Sequence, residues 1–473
     1  MLQPASVRWA LATLSLSILM PSLDTSIANV ALPTLAHALT ASFGDVQWIV
    51  LAYLLAITTL IVGVGRLGDI IGRRRLLLAG IGLFTAASLL CGIAPTLRLL
   101  IIGRVAQGVG AAVMMALTVA LVGEAVPKDQ TGSAMGLLGT MSAIGTTLGP
   151  SIGGVLITGV GWRGIFLVNL PLGILNVVLA HRYLPVDRPG AKADWTQFDT
   201  AGTVLMALTL AAYALAMTVG RGSFGPPNLA LLLAAVVGAG LFVVAEARAA
   251  SPLIRLVMFW NPVLSASLAM SALVSTVMMA TLVVGPFYLS RALGLDPALV
   301  GLVMSAGPFA AAFTGLPGGR MVDRFGAPRM TILGLIVMAA GCFCLSVVPI
   351  APGIGGYIAP IVVVTGGYAL FQAANNTAVM TDIRPDQRGV ISGMLNLSRH
   401  LGLITGASVM GAVFAQASAA SDVTAARAEA VAAGMRVTFS VAAMLIVVAL
   451  AIAVGARALR SRAPQPERRA AAL

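Results

Sequence analysis

Two ionisable residues lie where the surrounding sequence is otherwise apolar: Asp24 inside the first long hydrophobic stretch and Arg104 inside the fourth. A charged carboxylate at such a position costs several kcal/mol unless it is paired or solvated, so an acid there needs a reason. Two reasons are open. It can be half of a structural ion pair, or it can load a proton when a cavity is wet and release it when a cation or Arg104 competes. Asp24 lies eight residues from the outer end of its stretch and Arg104 seven from the outer end of its own. At 1.5 Å per residue both sit about 10–12 Å below the boundary, which predicts that they can meet. Arg399 stands roughly mid-membrane with no acid at matching depth, so it is expected to face an aqueous cavity, a helix end or a substrate. Its neighbour His400 is read as a packed, neutral side chain.

Amides come next. Gln107 follows Arg104 by one helical turn, Gln372, Asn375 and Asn376 fall within five residues, and Asn29 lies five residues beyond Asp24. Inside a bilayer such groups either bond between helices or line a pore. Asn29, Gln107, Gln372, Asn375, Asn376 and Arg399 are therefore candidates for the wall of a substrate cavity.

The elements that must position these residues announce themselves by a repeat. Gly65-Arg66-Leu67-Gly68-Asp69-Ile70-Ile71-Gly72-Arg73 is a charged turn between apolar stretches, and Gly319-Arg320-Met321-Val322-Asp323-Arg324-Phe325-Gly326 repeats it. The offset is 254 at all three shared positions, 65 to 319, 69 to 323 and 72 to 326. A second pair, Gln130-Thr131-Gly132 after Pro127 and Gln387-Arg388-Gly389 after Pro385, repeats at 257 from 132 to 389. Duplicated halves in a membrane chain suggest a cavity between two similar bundles that opens to either side. In the fifth stretch Gly145, Gly149 and Gly153 share one helical face, with Gly154 adjacent, while Pro150 removes a backbone hydrogen bond and bends the helix. Such a face suits either sliding or plain tight packing.

The composition sets the medium. Of 473 residues 59% are hydrophobic and only 10% charged, with mean hydropathy +0.98, where a soluble domain carries about a quarter charged residues. Apolar stretches at 9–32, 46–65, 76–94, 97–122, 133–158, 164–181, 200–220, 228–246, 263–289, 298–318, 330–349, 356–380, 389–416 and 435–456 make fourteen spans. Alternate loops hold 21 and 6 Lys plus Arg, so the positive-inside rule places both termini in the cytoplasm. The net charge of +13 then reports topology and anionic lipid rather than a nucleic-acid partner. Residues 1–181 are expected to form one six-helix bundle and 263–456 another. Between them, 182–262 is a polar linker plus two additional helices, and 457–473 reads as a disordered cytoplasmic tail.

Several chemistries are set aside. Gly63-Val64-Gly65-Arg66-Leu67-Gly68 matches a dinucleotide fingerprint formally, but sits at a membrane helix end rather than after a strand. No Walker motif, nucleophile elbow or metal-ligand spacing occurs, so neither an enzyme nor a cofactor is expected. Cys91, Cys342 and Cys344 are read as small packing residues within spans. Ala36-His37-Ala38 resembles a signal cleavage site, but the run before it is too long for a signal peptide and contains Asp24, so a retained helix is expected.

Taken together the segments resemble the major facilitator superfamily, and within it the fourteen-span drug:proton antiporters. The 65–75 turn is similar to the superfamily's signature between its second and third helices, and Arg104-x-x-Gln107-Gly108-x-Gly110 to its fourth-helix motif. Gly149-Pro150-x-x-Gly153-Gly154 resembles the fifth-helix motif typical of antiporters, and Leu23-Asp24-Thr25 through Pro33 the first-helix signature of the fourteen-span group. Trp162-Arg163 to Asn169-x-Pro171, Glu246 to Pro252 and Pro286-x-Tyr288-Leu289 also fit. Gly164 and Thr131 depart from it, standing where the family usually has a second tryptophan and often an arginine.

The resemblance implies an all-α polytopic membrane protein with the major facilitator fold: two six-helix bundles plus two additional transmembrane helices. It further implies proton-coupled efflux of small amphipathic molecules by a monomer in a bacterial cytoplasmic membrane, with Asp24 and Arg104 in proton coupling. The switch residues it implies are Gly65, Asp69, Gly72, Arg73, Gly149, Pro150, Gly154 and Asp323, with Asp69 and Arg73 tying the bundles at an inside gate. A dedicated metabolite exporter or a proton symporter on the same fold is the alternative.

Overall fold

A computed structural model describes residues 4–41, 43–187, 199–218, 225–249, 252–295, 297–349, 353–381, 383–384, 387–418 and 427–462. Among them there are helices and turns but no strand. In a bilayer every backbone polar group needs an internal partner, and an apolar chain answers by folding into helices. The first half comprises α1 (Pro4–Ala38), α2 (Phe43–Ile71), α3 (Arg73–Ile93), α4 (Leu97–Ala125), α5 (Thr131–Gly159), the short α6 (Gly164–Leu167) and α7 (Asn169–Tyr183). Then come α8 (Thr200–Thr218) and α9 (Pro226–Arg248). The second half holds α10 (Pro262–Phe287), α11 (Pro297–Met304), α12 (Ala306–Phe325), α13 (Ala327–Val347), α14 (Gly353–Met380), α15 (Arg388–Ala417) and α16 (Ala428–Arg462).

Among the described residues thirteen helical spans are long and apolar enough to cross a membrane, and α5 makes up to fourteen, bent by 42° where Pro150 interrupts it. α6 and α7 form one span broken at Val168, and α11 and α12 another broken at Ser305. Helix α9 turns Leu229, Leu233 and Val236 outward at more than 60% exposure, the pattern of a surface that lipid covers. It leans on α8, which Tyr213 ties to α15 through a 2.5 Å hydrogen bond with Thr405.

Three expectations from the sequence are corrected. The charged segments are not loops: α2 runs on through Asp69 to Ile71 and α12 through Asp323 to Phe325. Each meets the next helix at one glycine, Gly72 (φ +104°) and Gly326 (φ +87°), a backbone region that favours glycine. The expected tail from 457 begins as helix, since the Ala- and Arg-rich stretch favours helix and carries α16 to Arg462; 463–473 lie outside the described residues. Cys91 and Cys342 are buried, but Cys344 is exposed on α13 because it falls on the opposite face from Cys342.

Candidate functional site

Asp24 and Arg104 meet. Arg104 Nη1 donates to Asp24 Oδ2 at 2.5 Å, and the two residues are 0% and 2% exposed for Arg104 and Asp24. Asp24 Oδ1 accepts from Gln107 Nε2 at 2.8 Å and from Asn169 Nδ2 at 2.9 Å. Four helices are thereby joined around one carboxylate, because Gln107 Nε2 also donates to Ser88 of α3 at 2.8 Å. Arg104 is held from α2 as well: its Nε donates to the Ile49 carbonyl at 2.9 Å, and its guanidinium carbon lies 4.1 Å from the centroid of the Tyr53 ring. Arg104 Nη2 is buried with no hydrogen-bond partner. Breaking a buried pair by removing one partner costs about 3–5 kcal/mol, so the network is costly to dismantle and sensitive to one proton.

Gln107 is therefore not on a cavity wall. It is fully buried and braces Asp24 and Arg104, because one helical turn puts it on the arginine's own face of α4. The sequence brought up Asn169 only within the Trp162 to Pro171 resemblance, with no role, and did not single out Ser88 or Tyr53. An amide opening an otherwise apolar helix was the available signal for Asn169, while Ser88 and Tyr53 gave none.

The helix that carries Asp24 lies against the glycine face of α5. A Cβ on Gly145 would come within 2.8 Å of the Leu19 carbonyl oxygen, and one on Gly149 within 2.3 Å of the Ser26 side chain. Gly154 does not share in this: a Cβ there meets nothing within 4 Å, since it stands about 100° round the helix from Gly153.

At the end where the charged segments lie, the two halves close on each other through two matching latches. Asp69 at the end of α2 accepts from the backbone N–H groups of Gly389 and Val390, the first turn of α15, at 3.0 and 3.1 Å. Asp323 at the end of α12 accepts from those of Gly132 and Ser133, the first turn of α5, at 2.6 and 2.8 Å. The repeat maps one latch onto the other. In both, a carboxylate satisfies orphan N–H groups and meets the positive end of the helix dipole. Arg73 donates to Asp69 at 2.6 Å and also pairs with Glu124, so the first latch is backed by a chain of charge. Asp187 caps the start of α3 in the same way, accepting from Arg74 and Arg75 N–H at 3.0 Å each.

Glycines let these ends touch. A Cβ on Gly389 would lie 2.1 Å from the Gly65 carbonyl oxygen, and one on Gly319 2.3 Å from that of Gly132. Gly389→Ala is therefore expected to loosen the closed end by roughly 1–3 kcal/mol, the usual cost of overpacking. The check is thiol labelling of Ser392→Cys, a position that now donates to the Ala116 carbonyl across the same contact, in a background without the three native cysteines. Labelling unchanged by Gly389→Ala would show that this contact does not hold the halves together.

The remaining candidates lie apart from the Asp24 network. Asn29 is exposed, with its amide donating to the Thr25 carbonyl at 3.0 Å. Gln372 and Asn376 are half-buried on α14. Asn375 is 2% exposed and donates to the Ser267 carbonyl at 3.2 Å. Arg399 is half-buried, its Nε has no hydrogen-bond partner, and no described carboxylate pairs with it. It follows Ser392 and Asn396 on one face of α15, and both of these bond to carbonyls of α4. That direction points from the second half toward the first. His400 is buried, with Nδ1 2.8 Å from the Asn396 carbonyl oxygen.

Comparison with known proteins agrees with this architecture. The family model described as Major Facilitator Superfamily matches residues 14–407 and 268–472. The chain is 33% identical to the Uncharacterized transporter YebQ of Escherichia coli, over 86% of this chain and 89% of that one. It is 29% identical to the Riboflavin transporter RibZ of Clostridioides difficile, over 86% and 89%. To the Multidrug resistance protein Stp of Mycobacterium tuberculosis it is 31% identical, over 85% and 74%. Among solved structures, the proton:xylose symporter XylE superposes with a TM-score of 0.67 at 15% identity, covering 95% of each chain, a likeness of fold alone. With helices in two halves that the same latch closes twice, and with a family match along most of its length, the chain belongs to the major facilitator superfamily.

Proposed function

We propose that this transporter exports small amphipathic molecules in exchange for protons, by alternating access of a cavity between its two halves. The observation that carries the proposal is Asp24: one carboxylate, buried in a span, with three side-chain donors from α4 and α7 around it. A proton arriving there neutralises the carboxylate and leaves Arg104 without its counter-charge. That loss alters the packing balance of α1 against α4 and α7. The glycine face of α5 on α1 and the two carboxylate latches are the elements that such a change would bias. Relatives named as multidrug resistance proteins support export of varied amphiphiles.

In this reading Asp24 and Arg104 couple protons, and Arg399, Gln372, Asn375, Asn376 and Asn29 contribute to the substrate path. Asp69, Arg73 and Asp323 hold the cytoplasmic end shut, with Gly65, Gly72, Gly149 and Pro150 giving the helices their approach and bend. The carrier sits in a bacterial cytoplasmic membrane as a monomer, both termini inside. Its halves are 1–181 and 263–456, with 182–262 between them.

A dedicated metabolite exporter is the second reading, favoured by the relative named as a riboflavin transporter. Everted membrane vesicles with an imposed proton gradient distinguish them, screened with cationic and neutral dyes, antibiotics, riboflavin and other metabolites. Several unrelated amphiphiles should accumulate, and collapse of the gradient should stop them. Accumulation of a single metabolite would select the second reading, and none at all would overturn both.

A further inference from the structure

The charged-segment end of the second half contains a cleft of which the transport reading uses one residue, Asn375. It is a cavity of about 400 Å³ between the start of α10, the α12–α13 junction, α14 and the end of α16. Interiors pack with few voids larger than a water molecule, and a space of this size falls in the range of ligand pockets, about 300–1,000 Å³. Its walls are mostly apolar: Val263 and Met270 from α10, Ala378 from α14 and Ala453 from α16. The small side chains of Ala266, Ser267, Ala378, Ala453 and Ala456 are among those that line it.

Its rim is cationic. Arg329, in the first turn of α13, and Arg457, on α16, both line the cleft, both are exposed, and no described carboxylate pairs with either. Asn375 also lines it, 2% exposed, and its Oδ1 has no hydrogen-bond partner within the protein. That oxygen takes a donor from the occupant or from water entering with it.

We infer that this cleft binds an anionic phospholipid, its phosphate between Arg329 and Arg457 and one acyl chain along the apolar wall of α10 and α16. Guanidinium groups match phosphate geometry, and the ends of spans are where headgroups lie. Basic pockets between transmembrane helices are a recognised form of headgroup site. A zwitterionic lipid gains less, because its ammonium would approach the same two cations.

The test is lipid retention, which does not depend on transport. The full chain is extracted from vesicles of equal phosphatidylglycerol and phosphatidylethanolamine, and the lipids that remain bound are counted by native mass spectrometry. Each basic residue near an anionic surface is worth about a fivefold preference, so two predict roughly thirtyfold enrichment of phosphatidylglycerol. Arg329→Gln with Arg457→Gln should bring that enrichment close to the vesicle ratio. Ala453→Phe, which fills the cleft and spares both arginines, should reduce retention of the lipid itself. Enrichment unchanged in the double variant, or retention unchanged by Ala453→Phe, would overturn the inference. Displacement of the lipid by millimolar inorganic phosphate would do so too, by showing a site for free anions.

Discussion

Asp24→Asn should abolish gradient-driven efflux while leaving expression and substrate binding largely intact. The amide is close in shape to the protonated acid, so the variant is fixed in a state that the proposed cycle visits at every turn. A protein that tolerates protonated Asp24 in each cycle should tolerate an amide of the same shape, and the loss should fall on coupling rather than on folding. Transport against a gradient should drop to background, while downhill exchange of substrate persists. Asp24→Glu should keep partial function, because the longer carboxylate still titrates but must crowd Gln107 and Asn169. Active efflux unchanged in Asp24→Asn would remove Asp24 from the coupling role. Arg104→Ala behaves differently in this account: it leaves a carboxylate buried without its counter-charge, and should lower stability by about 3–5 kcal/mol.

The second large effect is expected at the latch. Asp69→Asn keeps the side chain's size but removes the charge that faces the first turn of α15 and pairs with Arg73. An amide can still accept one backbone hydrogen bond, but it loses the charge assistance and leaves Arg73 leaning on Glu124 alone among its described acids. The arrangement closed at this end should lose roughly 1–3 kcal/mol relative to the open one, a shift in population of about 5- to 150-fold. Transport should slow strongly, and cysteines placed on this side of the cavity should react faster with a polar thiol reagent, in a background lacking Cys91, Cys342 and Cys344. Reactivity equal to the parent would show that the segment only sets topology. Because Asp323 makes the same contact with α5, Asp323→Asn should move reactivity in the same direction.

Much of this was legible in the residues themselves. Depth along two helices predicted that Asp24 and Arg104 can meet, because rise per residue is fixed and only one acid stood at that level. The repeat revealed two matching charged segments, and the helix starts at Gly132 and Gly389 followed from the same repeat. What depth does not carry is rotation about the helix axis. Gln107 and Gln372 look alike as amides in apolar runs, yet one is enclosed by Arg104, Asp24 and Ser88 and the other is half-buried at a different surface. Asn169 was legible only as part of the Asn169-x-Pro171 segment and not as a partner of Asp24, which lies 145 residues away in the chain. The helix ends were misjudged because arginine and aspartate look like loop residues in an apolar sequence, although both continue a helix wherever their charges reach the interface or a partner.

The most direct measurement is of the proton itself. Everted vesicles carrying the protein and a trapped pH indicator are given, with no imposed gradient, an exported substrate that has no titratable group. Exchange predicts that substrate entering the lumen drives protons out, so the lumen turns alkaline, and that Asp24→Asn vesicles show no change. A lumen that acidifies, or that turns alkaline at the same rate without the Asp24 carboxylate, would contradict the account.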